Sequence, residues 1–281
     1  AQNLYSSALA THWESNPYAS LPYLFHHHDQ KNRLVAFQFS NKELGTLALM
    51  PMVIRSIKQQ LNGETYYDAI SPYGYSGPLY REGTELFLKR AFWDLVDEWY
   101  QKHNIVSEFV RFDLYGNHKY YSGQILPTLK NVFGKVLEDP QAQWECFLPK
   151  VRNNYRKASK SGLEFKIATG DQIDESLIRS FYRIYTDTMD RNQASSMYFF
   201  SLSFFKHLIH YKSEKFAIAT AMSDDEVVSS ELLILHHQNL HAFLGGTLNA
   251  YFHLRPNDFL RVEILKWASE NGYKHYVLGG G

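Results

Sequence analysis

Apolar residues recur at helical spacing near the end of the chain, between two segments that alternate in the manner of strands. The strands are expected at residues 240–248 and 273–278. Asn257 or Asp258 can cap the intervening helix, and Gly272 suits its left-handed end. Its apolar positions are Leu260, Ile264, Trp267 and Ala268. This order predicts a parallel crossover, with the loop before the helix at the sheet edge where ligands usually bind.

The segments before this crossover predict the rest of a second domain. A helix is expected from Asp139-Pro140 to Gly162, because Asp and Pro favour a helix start and Gly favours its end. Three successive strands indicate an antiparallel meander, with a turn at residues 223–226. The elements are a strand at 163–168, helices at 174–191 and 201–210, and meander strands at 215–222, 227–237 and 240–248.

The first half predicts a mixed sheet packed by one long helix. Glycine and proline are too frequent in residues 66–80 for regular structure there. The chain is therefore expected to be an α/β protein with mixed α+β sheets in two domains, residues 1–140 and 141–281. The predicted elements of the first half are strands at 21–27, 33–39, 44–57, 106–114 and 131–137, and a helix at 82–103.

Composition excludes several classes of protein. Lys plus Arg and Asp plus Glu both number 29, so no net charge steers the chain toward nucleic acid or membrane. The single cysteine, Cys146, excludes an internal disulfide framework. No apolar run approaches the ~20 residues of a membrane helix, so a cytoplasmic protein is expected.

The run His26-His27-His28 is not expected to bind metal, because neighbouring strand residues point to opposite faces.

A tyrosine-rich loop is the first candidate for ligand binding. Tyr73, Tyr75 and Ser76 lie on a Gly/Pro scaffold, where tyrosines can stack on a ligand and hydrogen-bond to it. The same tyrosines can instead cover the core of the first domain.

The polar side of the helix predicted at 139–162 is the second candidate. Arg152, Asn153 and Arg156 lie there among several lysines. Such a side can cradle an anion such as a diphosphate or a nucleic-acid backbone, or it can be a solvated face.

Glu231 is the candidate catalytic residue. It lies within an otherwise apolar strand, where a carboxylate is costly unless it has a partner. It can accept the proton of an amine or bind the ammonium form. Alternatively, it is a glutamate at a strand edge, in contact with water.

Several segments together carry a family resemblance. They are SPYGYSGP at 71–78, VRNNYRKASKSG at 151–162, residues 181–191, GGT and LRPNDFL within 245–260, and the closing glycines. They resemble Fem-type proteins, the peptidoglycan-bridge aminoacyltransferases and their relatives, and the order of elements in the second half resembles a GNAT acyltransferase domain. Characterised members often carry a coiled-coil insertion that this sequence lacks, and they usually continue past the closing glycines.

The resemblance implies two tandem GNAT-like domains that transfer an acyl group to an amine, for example of a cell-envelope or polysaccharide precursor. It implies no permanently bound cofactor; the acyl donor is either aminoacyl-tRNA, as in characterised members, or acyl-CoA. The basic side of the predicted helix at 139–162 suits an anionic or nucleotide-linked substrate, and the resemblance brings Arg191 into the candidate site. A CoA-dependent N-acetyltransferase of a small amine or amino sugar, and a non-catalytic binding module, are the alternatives.

The turn before the last helix disfavours CoA. A pyrophosphate site on a helix N-terminus needs glycines and free N–H groups. Here Pro256 removes one N–H, and Asp258 brings a carboxylate to the positive end of the helix. Arg255 and Arg261 nevertheless keep CoA binding possible.

The candidate residues are expected to converge on one site. Glycines at a strand exit let a ligand approach the backbone, so Gly245 and Gly246 are expected beside the ligand. The crossover topology brings Arg255 and Asn257 to the same edge. Tyr73 and Tyr75 are expected to face this edge, with Glu231 along the central strand.

Overall fold

The computed structural model describes residues 2–13, 16–27, 32–61, 63–114, 116–125 and 131–280. The chain divides into two compact units, Ala1–Thr128 and Leu129–Gly281. The division comes earlier than the predicted boundary between 140 and 141, because a strand at Asn131–Lys135 pairs with the last strand of the second unit. His28 and Gly281 lie outside the described residues. No helix in the described ranges is long and apolar enough to cross a membrane.

The first unit is built on a five-stranded mixed sheet. Its strands are β1 (Asn32–Asn41), β2 (Gly45–Leu61), β3 (Glu64–Ile70), β4 (Leu79–Tyr80) and β5 (Ile105–Phe109), and its helices are α1 (Gln2–His12), α2 (Leu21–Phe25) and α3 (Leu86–Lys102). Antiparallel pairing joins β1, β2 and β3, while β3 and β5 are parallel and connected through α3. Phe92, Trp93 and Val96 of α3 are buried against the sheet, as the predicted long helix requires.

Two predictions for the first unit are wrong. Residues 21–27 were expected as a strand, but α2 forms there because Pro22 suits a first helical turn and Tyr23 and Leu24 are buried on one side. Residues 66–70 were expected to be irregular, yet they belong to β3. They are held there by pairing on both sides, with β2 and with β5. Within residues 66–80, only the stretch between β3 and β4 lacks regular structure.

The second unit is built on a six-stranded sheet in the order β6-β11-β10-β9-β8-β7. Its strands are β6 (Asn131–Lys135), β7 (Glu164–Thr169), β8 (Phe216–Ser223), β9 (Glu226–His236), β10 (Asn239–Thr247) and β11 (His275–Gly280), and its helices are α4 (Pro140–Cys146), α5 (Pro149–Lys160), α6 (Glu175–Arg191), α7 (Leu202–Tyr211) and α8 (Pro256–Glu270). The meander β8-β9-β10 is antiparallel, and α8 leads from β10 to a parallel β11, as the sequence predicted.

Two helix boundaries differ from the predictions. The helix expected at 139–162 is divided into α4 and α5, because Leu148 precedes a proline and is therefore held in an extended conformation. Helix α8 begins at Pro256, and its N-cap is Arg255, which has a left-handed backbone with φ of 62°. The caps predicted at Asn257 and Asp258 are wrong, because both residues lie inside the first helical turn.

Helix α6 packs closely on β10 at Gly246. A Cβ atom at this position would lie 2.1 Å from Thr188 Oγ1 and 2.8 Å from the carbonyl oxygen of Ile184. Both neighbours belong to α6, and the carbonyl is backbone, so it cannot rotate away. The absence of a side chain at Gly246 therefore sets the distance between this helix and the sheet.

We expect Gly246→Ala to destabilise the second unit by about 1–3 kcal/mol, the usual cost of overpacking a close contact. Gly134→Ala in β6 is the matched control, because the nearest atom to its added Cβ is 4.0 Å away. Thermal and urea unfolding of the two variants measure the difference. Equal stability of both variants would contradict the close packing of α6.

Candidate active site in the second unit

A cleft opens where β10 and β11 separate. The two strands pair only over Asn239–His241 and His275–Val277. Beyond this stretch β10 continues along β9, whereas β11 continues along β6. The cleft has a volume of about 430 Å³ and is lined by β10 from Ala242 to Thr247 and by Leu278 of β11. Parallel strands that separate in this way expose one edge of β10 to a ligand.

Glu231 lies in this cleft, on strand β9. Its backbone pairs with Gly245 of β10 and Ala219 of β8, so it is in the middle of the sheet, and its side chain is only 7% exposed. The interpretation as a strand-edge glutamate in water is therefore wrong. The carboxylate has the partners that burial requires: the hydroxyl of Tyr276 donates to Oε1, and Nε of Arg261 is 3.8 Å from Oε2.

Burial raises the pKa of Glu231 above its ordinary value of 4.5. Removing a carboxylate from water disfavours its charged form, and this effect exceeds the opposing effects of Arg261 and Tyr276, which lower the pKa. A carboxylate with a raised pKa is a stronger base than one in water. A perturbed group in a cleft, with specific partners, is the usual mark of a functional site.

Two arginines line the cleft from different helices. Arg191 is the last residue of α6, and Arg261 lies in α8. The guanidinium of Arg191 bonds to Asp187 Oδ2 at 2.8 Å and lies 4.9 Å from the ring centre of Phe252, so its position is fixed. Arg261 is more exposed and is near the Glu231 carboxylate. The cleft therefore offers a carboxylate together with cations that can bind an anionic group.

The two glycines of β10 line the cleft, but protein packing already explains both. A Cβ atom at Gly245 would lie 2.7 Å from the carbonyl oxygen of Ser230 on the neighbouring strand. At Gly246 the obstacle is α6, as described above. The sequence attributed these glycines to a ligand that approaches the backbone. In the structure they first allow β9, β10 and α6 to approach one another, and the cleft forms beside them.

The turn before α8 contributes fewer residues to the lining of the cleft than predicted. Asn257 lines the cleft, whereas Arg255 is an exposed cap residue outside its lining. Asp258 accepts a hydrogen bond of 2.9 Å from Asn154 of α5, so its carboxylate is held at the start of α8. Pro256 is the first residue of that helix. That a pyrophosphate is disfavoured at this end of the helix stays a prediction.

The basic residues of α5 form a surface of the second unit rather than a wall of this cleft. Asn153 and Arg156 are exposed, and Arg152 is half-buried. The guanidinium of Arg156 lies 5.2 Å from the ring centre of Trp144 and donates to Asn153 Oδ1 at 3.3 Å. The opposite side of the helix packs against α8, where the rings of Tyr155 and Phe259 stack.

The tyrosine loop of the first unit is held by its own unit. The hydroxyl of Tyr23 donates to the carbonyl oxygen of Tyr73 at 2.6 Å, and the rings of Tyr18 and Tyr75 meet edge to face at 5.8 Å. Both loop tyrosines are half-buried. Packing against the first unit thus accounts for much of this aromatic cluster, and the contribution of Tyr73 and Tyr75 to the site stays a prediction.

Ser76 has a structural role inside that loop. The residue is 4% exposed, and its hydroxyl donates to the carbonyl oxygen of Pro72 at 2.9 Å. Asn117 donates to the carbonyl oxygens of Ser76 and Pro78, which closes the loop from the other side. The bond to Pro72 engages a hydroxyl that was expected to bind substrate.

Within the second unit the fold brings five of the predicted residues to one cleft: Glu231, Gly245, Gly246, Arg191 and Asn257. Sequence reasoning missed Tyr276 and did not include Arg261 among the site residues. The signal for Arg261 was its position one helical turn after Asn257. Tyr276 had no such signal, because its contact with Glu231 depends on the pairing of β11 with β10. No group of three or more His, Cys, Asp or Glu side chains that could hold a metal occurs among the described residues.

Comparisons with known proteins agree with this architecture. The acetyltransferase (GNAT) domain family matches residues 148–281, which begin just before α5 and include the cleft. A search of the curated proteins found no match to the sequence.

Solved structures match over the whole chain. FemX is similar with a TM-score of 0.67 and 10% identity, over 100% of this chain and 87% of that one. L-PGS from Bacillus licheniformis has a TM-score of 0.60 and 13% identity, over 100% and 76%. The C-terminal domain of a putative lysylphosphatidylglycerol synthetase from Agrobacterium fabrum has a TM-score of 0.61 and 13% identity, over 99% and 79%.

At such low identity these likenesses establish the fold alone. They agree with the family match and with the resemblance of the sequence segments to Fem-type proteins. Residues 148–281, within the second unit, thus match the acetyltransferase (GNAT) domain family, and the chain shares its fold with FemX.

Proposed function

We propose that this protein transfers an activated acyl group, carried as an aminoacyl ester, to an amine of a cell-envelope or polysaccharide precursor. The observation that carries the proposal is the buried carboxylate of Glu231 in the cleft between β10 and β11. The GNAT domain match supports acyl transfer in general. The name of one similar structure, a lysylphosphatidylglycerol synthetase, supports an aminoacyl donor and an anionic acceptor.

The proposed reaction needs one proton acceptor and a well-oriented ester. Glu231 takes a proton from the ammonium group of the acceptor, and the neutral amine attacks the carbonyl carbon of the ester. As the C–O bond of the tetrahedral intermediate breaks, its nitrogen gives up a second proton to the leaving oxygen. The products are an amide and a free hydroxyl group, and Glu231 then releases its proton to solvent. Orientation of the two reactants can supply roughly 7–11 kcal/mol of the rate acceleration. The exposed edge of β10 is suited to orient an acyl group by backbone hydrogen bonds.

An ester on a nucleotide fits the charges better than acyl-CoA does. Asp258 and Pro256 disfavour a pyrophosphate at the start of α8. Arg191 and Arg261 supply positive charge at the cleft, and α5 supplies more on the surface of the same unit. We therefore propose charged tRNA as the donor and an anionic or nucleotide-linked molecule as the acceptor. Charged tRNA is made in the cytoplasm, which is where we expect the reaction.

We expect Glu231→Gln to lower kcat by about 10²–10⁴, the usual contribution of a general base. Purified protein is supplied with aminoacyl-tRNA and a set of amine acceptors, and amide formation is measured. Glu226→Gln is the matched control, because Glu226 lies on the same strand and pairs with Arg183 outside the cleft. Equal activity of wild type and E231Q would contradict the role of Glu231.

The stability of E231Q distinguishes loss of chemistry from loss of fold. The folded pKa of Glu231 is raised, so the folded protein binds more protons than the unfolded chain between the two pKa values. The free energy of unfolding of wild type therefore falls as the pH rises through that window, relative to E231Q. We expect E231Q to match wild type at acid pH and to be more stable at neutral pH. Marked destabilisation at neutral pH would indicate that Glu231 is a structural residue.

We expect acetyl-CoA to bind weakly or not at all at the turn before Phe259. The reason is that acetyl-CoA carries a pyrophosphate, whereas the proposed donor carries none at that position. Calorimetry on the full chain measures acetyl-CoA binding directly. Micromolar binding that is lost on mutation of Arg255 and Asn257 would contradict the prediction. It would favour a CoA-dependent N-acetyltransferase instead.

Arg152→Ala and Arg156→Ala should weaken binding of a tRNA donor and flatten the salt dependence of that binding. Each phosphate contact that is lost reduces the slope of log K against log salt by about 1. Neither arginine is buried in the core, so the melting temperature should change little. Ser159→Ala, on an exposed position of the same helix, is the control. Strong destabilisation with unchanged tRNA affinity would show that these arginines serve packing.

A further inference from the structure

The two oxygen atoms of the Glu231 carboxylate have different surroundings. Oε1 accepts a hydrogen bond from the hydroxyl of Tyr276. Oε2 is 3.8 Å from Nε of Arg261, which is too long for a hydrogen bond. Arg261 lines the cleft and Tyr276 does not. Oε2 is therefore the oxygen on the side of the cleft, and Oε1 is the oxygen on the side of the core.

We propose that Tyr276 is a positioning residue for the reaction: its hydroxyl anchors Oε1 and thereby directs Oε2 to the cleft as the atom that accepts the amine proton. This inference rests on the proposed function of Glu231. Without the anchor the carboxyl group can rotate about its last side-chain bond. Misplacement of a reacting atom is costly, since about 1 Å can reduce a rate 100-fold.

The fold fixes Tyr276 more firmly than a loop residue could be fixed. It lies opposite Leu240, in the short stretch where β10 and β11 pair, and it is 1% exposed. The same cluster of buried residues includes Phe259 and Leu260 of α8. The register of β11 thus sets where the phenol reaches, one residue from the point where the strands begin to separate. A buried tyrosine hydroxyl requires a hydrogen-bond partner, and Glu231 provides it.

The charged and titratable groups around Glu231 support this arrangement. Tyr276 on β11 and Arg261 on α8 both lower the pKa of Glu231, against the larger effect of burial, which raises it. Arg191, at the end of α6, is the other charged residue in the lining of the cleft. Loss of the Tyr276 hydroxyl should therefore raise the pKa of Glu231 further. A tyrosine that served packing alone would not affect the titration of this carboxyl group.

Tyr276→Phe tests the proposal, because it keeps the ring and removes only the hydroxyl. We expect kcat to fall about 10- to 100-fold, as for loss of a hydrogen bond to a charged group, with KM nearly unchanged. The acidic limb of the kcat–pH profile should move to higher pH. Tyr273→Phe, a half-buried tyrosine stacked on Trp267, is the matched control. An unchanged kcat, or a fall in kcat with no movement of the acidic limb, would overturn the role of Tyr276.

The double variant shows whether Tyr276 acts through Glu231. In the E231Q background, Tyr276→Phe should cause no further loss of kcat, since the atom that it positions is already absent. An equal loss in both backgrounds would overturn the proposal.

A measurement without substrate separates this proposal from the proposed function. The difference in unfolding free energy between wild type and E231Q is followed against pH, and the pair is compared again in the Y276F background. With Tyr276→Phe the fall in this difference should extend to higher pH, because the folded pKa of Glu231 is raised further. An unmoved curve overturns the anchoring of Glu231 by Tyr276. If no acyl transfer occurs with any amine, the proposed function fails, and this curve alone decides whether Tyr276 holds the carboxyl group.

Discussion

Strand β10 has two neighbours, and the difference between them shapes the second unit. It pairs with β9 from Asn239 to Thr247, with a bulge at Phe243, but with β11 over only three residues. The parallel partner can begin only after the chain has crossed the sheet through α8, and it then continues along β6. The separation of the two strands creates the cleft, exposes an edge of β10, and brings Glu231, Arg191 and Arg261 to one site.

The buried carboxyl group of Glu231 has a free-energy cost that a purely structural sheet would avoid. An ionised carboxylate in a central strand is expensive, and neither Tyr276 nor Arg261 compensates fully, because the pKa of Glu231 stays raised. Glutamine, an amide of the same shape, would avoid the cost of burying a charge. The presence of a carboxyl group at this buried position therefore favours a chemical role, since functional sites often sacrifice stability for reactivity. The close packing at Gly245 and Gly246 is different in kind, because it supports the fold around the site.

The first unit illustrates how structure can account for residues that look functional in sequence. The tyrosines between β3 and β4 suggested an aromatic wall, but Tyr18 and Tyr23 from the preceding helical segments hold that loop. Ser76 is engaged inside it. The contacts of Tyr18 and Tyr23 join residues fifty or more positions apart, so no local sequence pattern predicts them. The basic surface of α5 was easier to anticipate, because charge and helical spacing are both properties of a single segment.

The sequence alone determined the order of elements in the second unit, its crossover, and the candidate carboxylate. These follow from periodicity and from the rarity of an acid within an apolar strand, and both are local signals. It also indicated that the turn before α8 disfavours pyrophosphate, since Pro256 and Asp258 are adjacent to the helix start. The pairing partners of the strands decided other parts of the fold. They brought β6 into the second sheet and made residues 66–70 a strand. The division of the helix at Leu148-Pro149 is instead a local effect of the proline. Only the register of β11 against β10 could bring Tyr276 to Glu231, because a contact between distant strands depends on backbone hydrogen bonds that no single segment encodes.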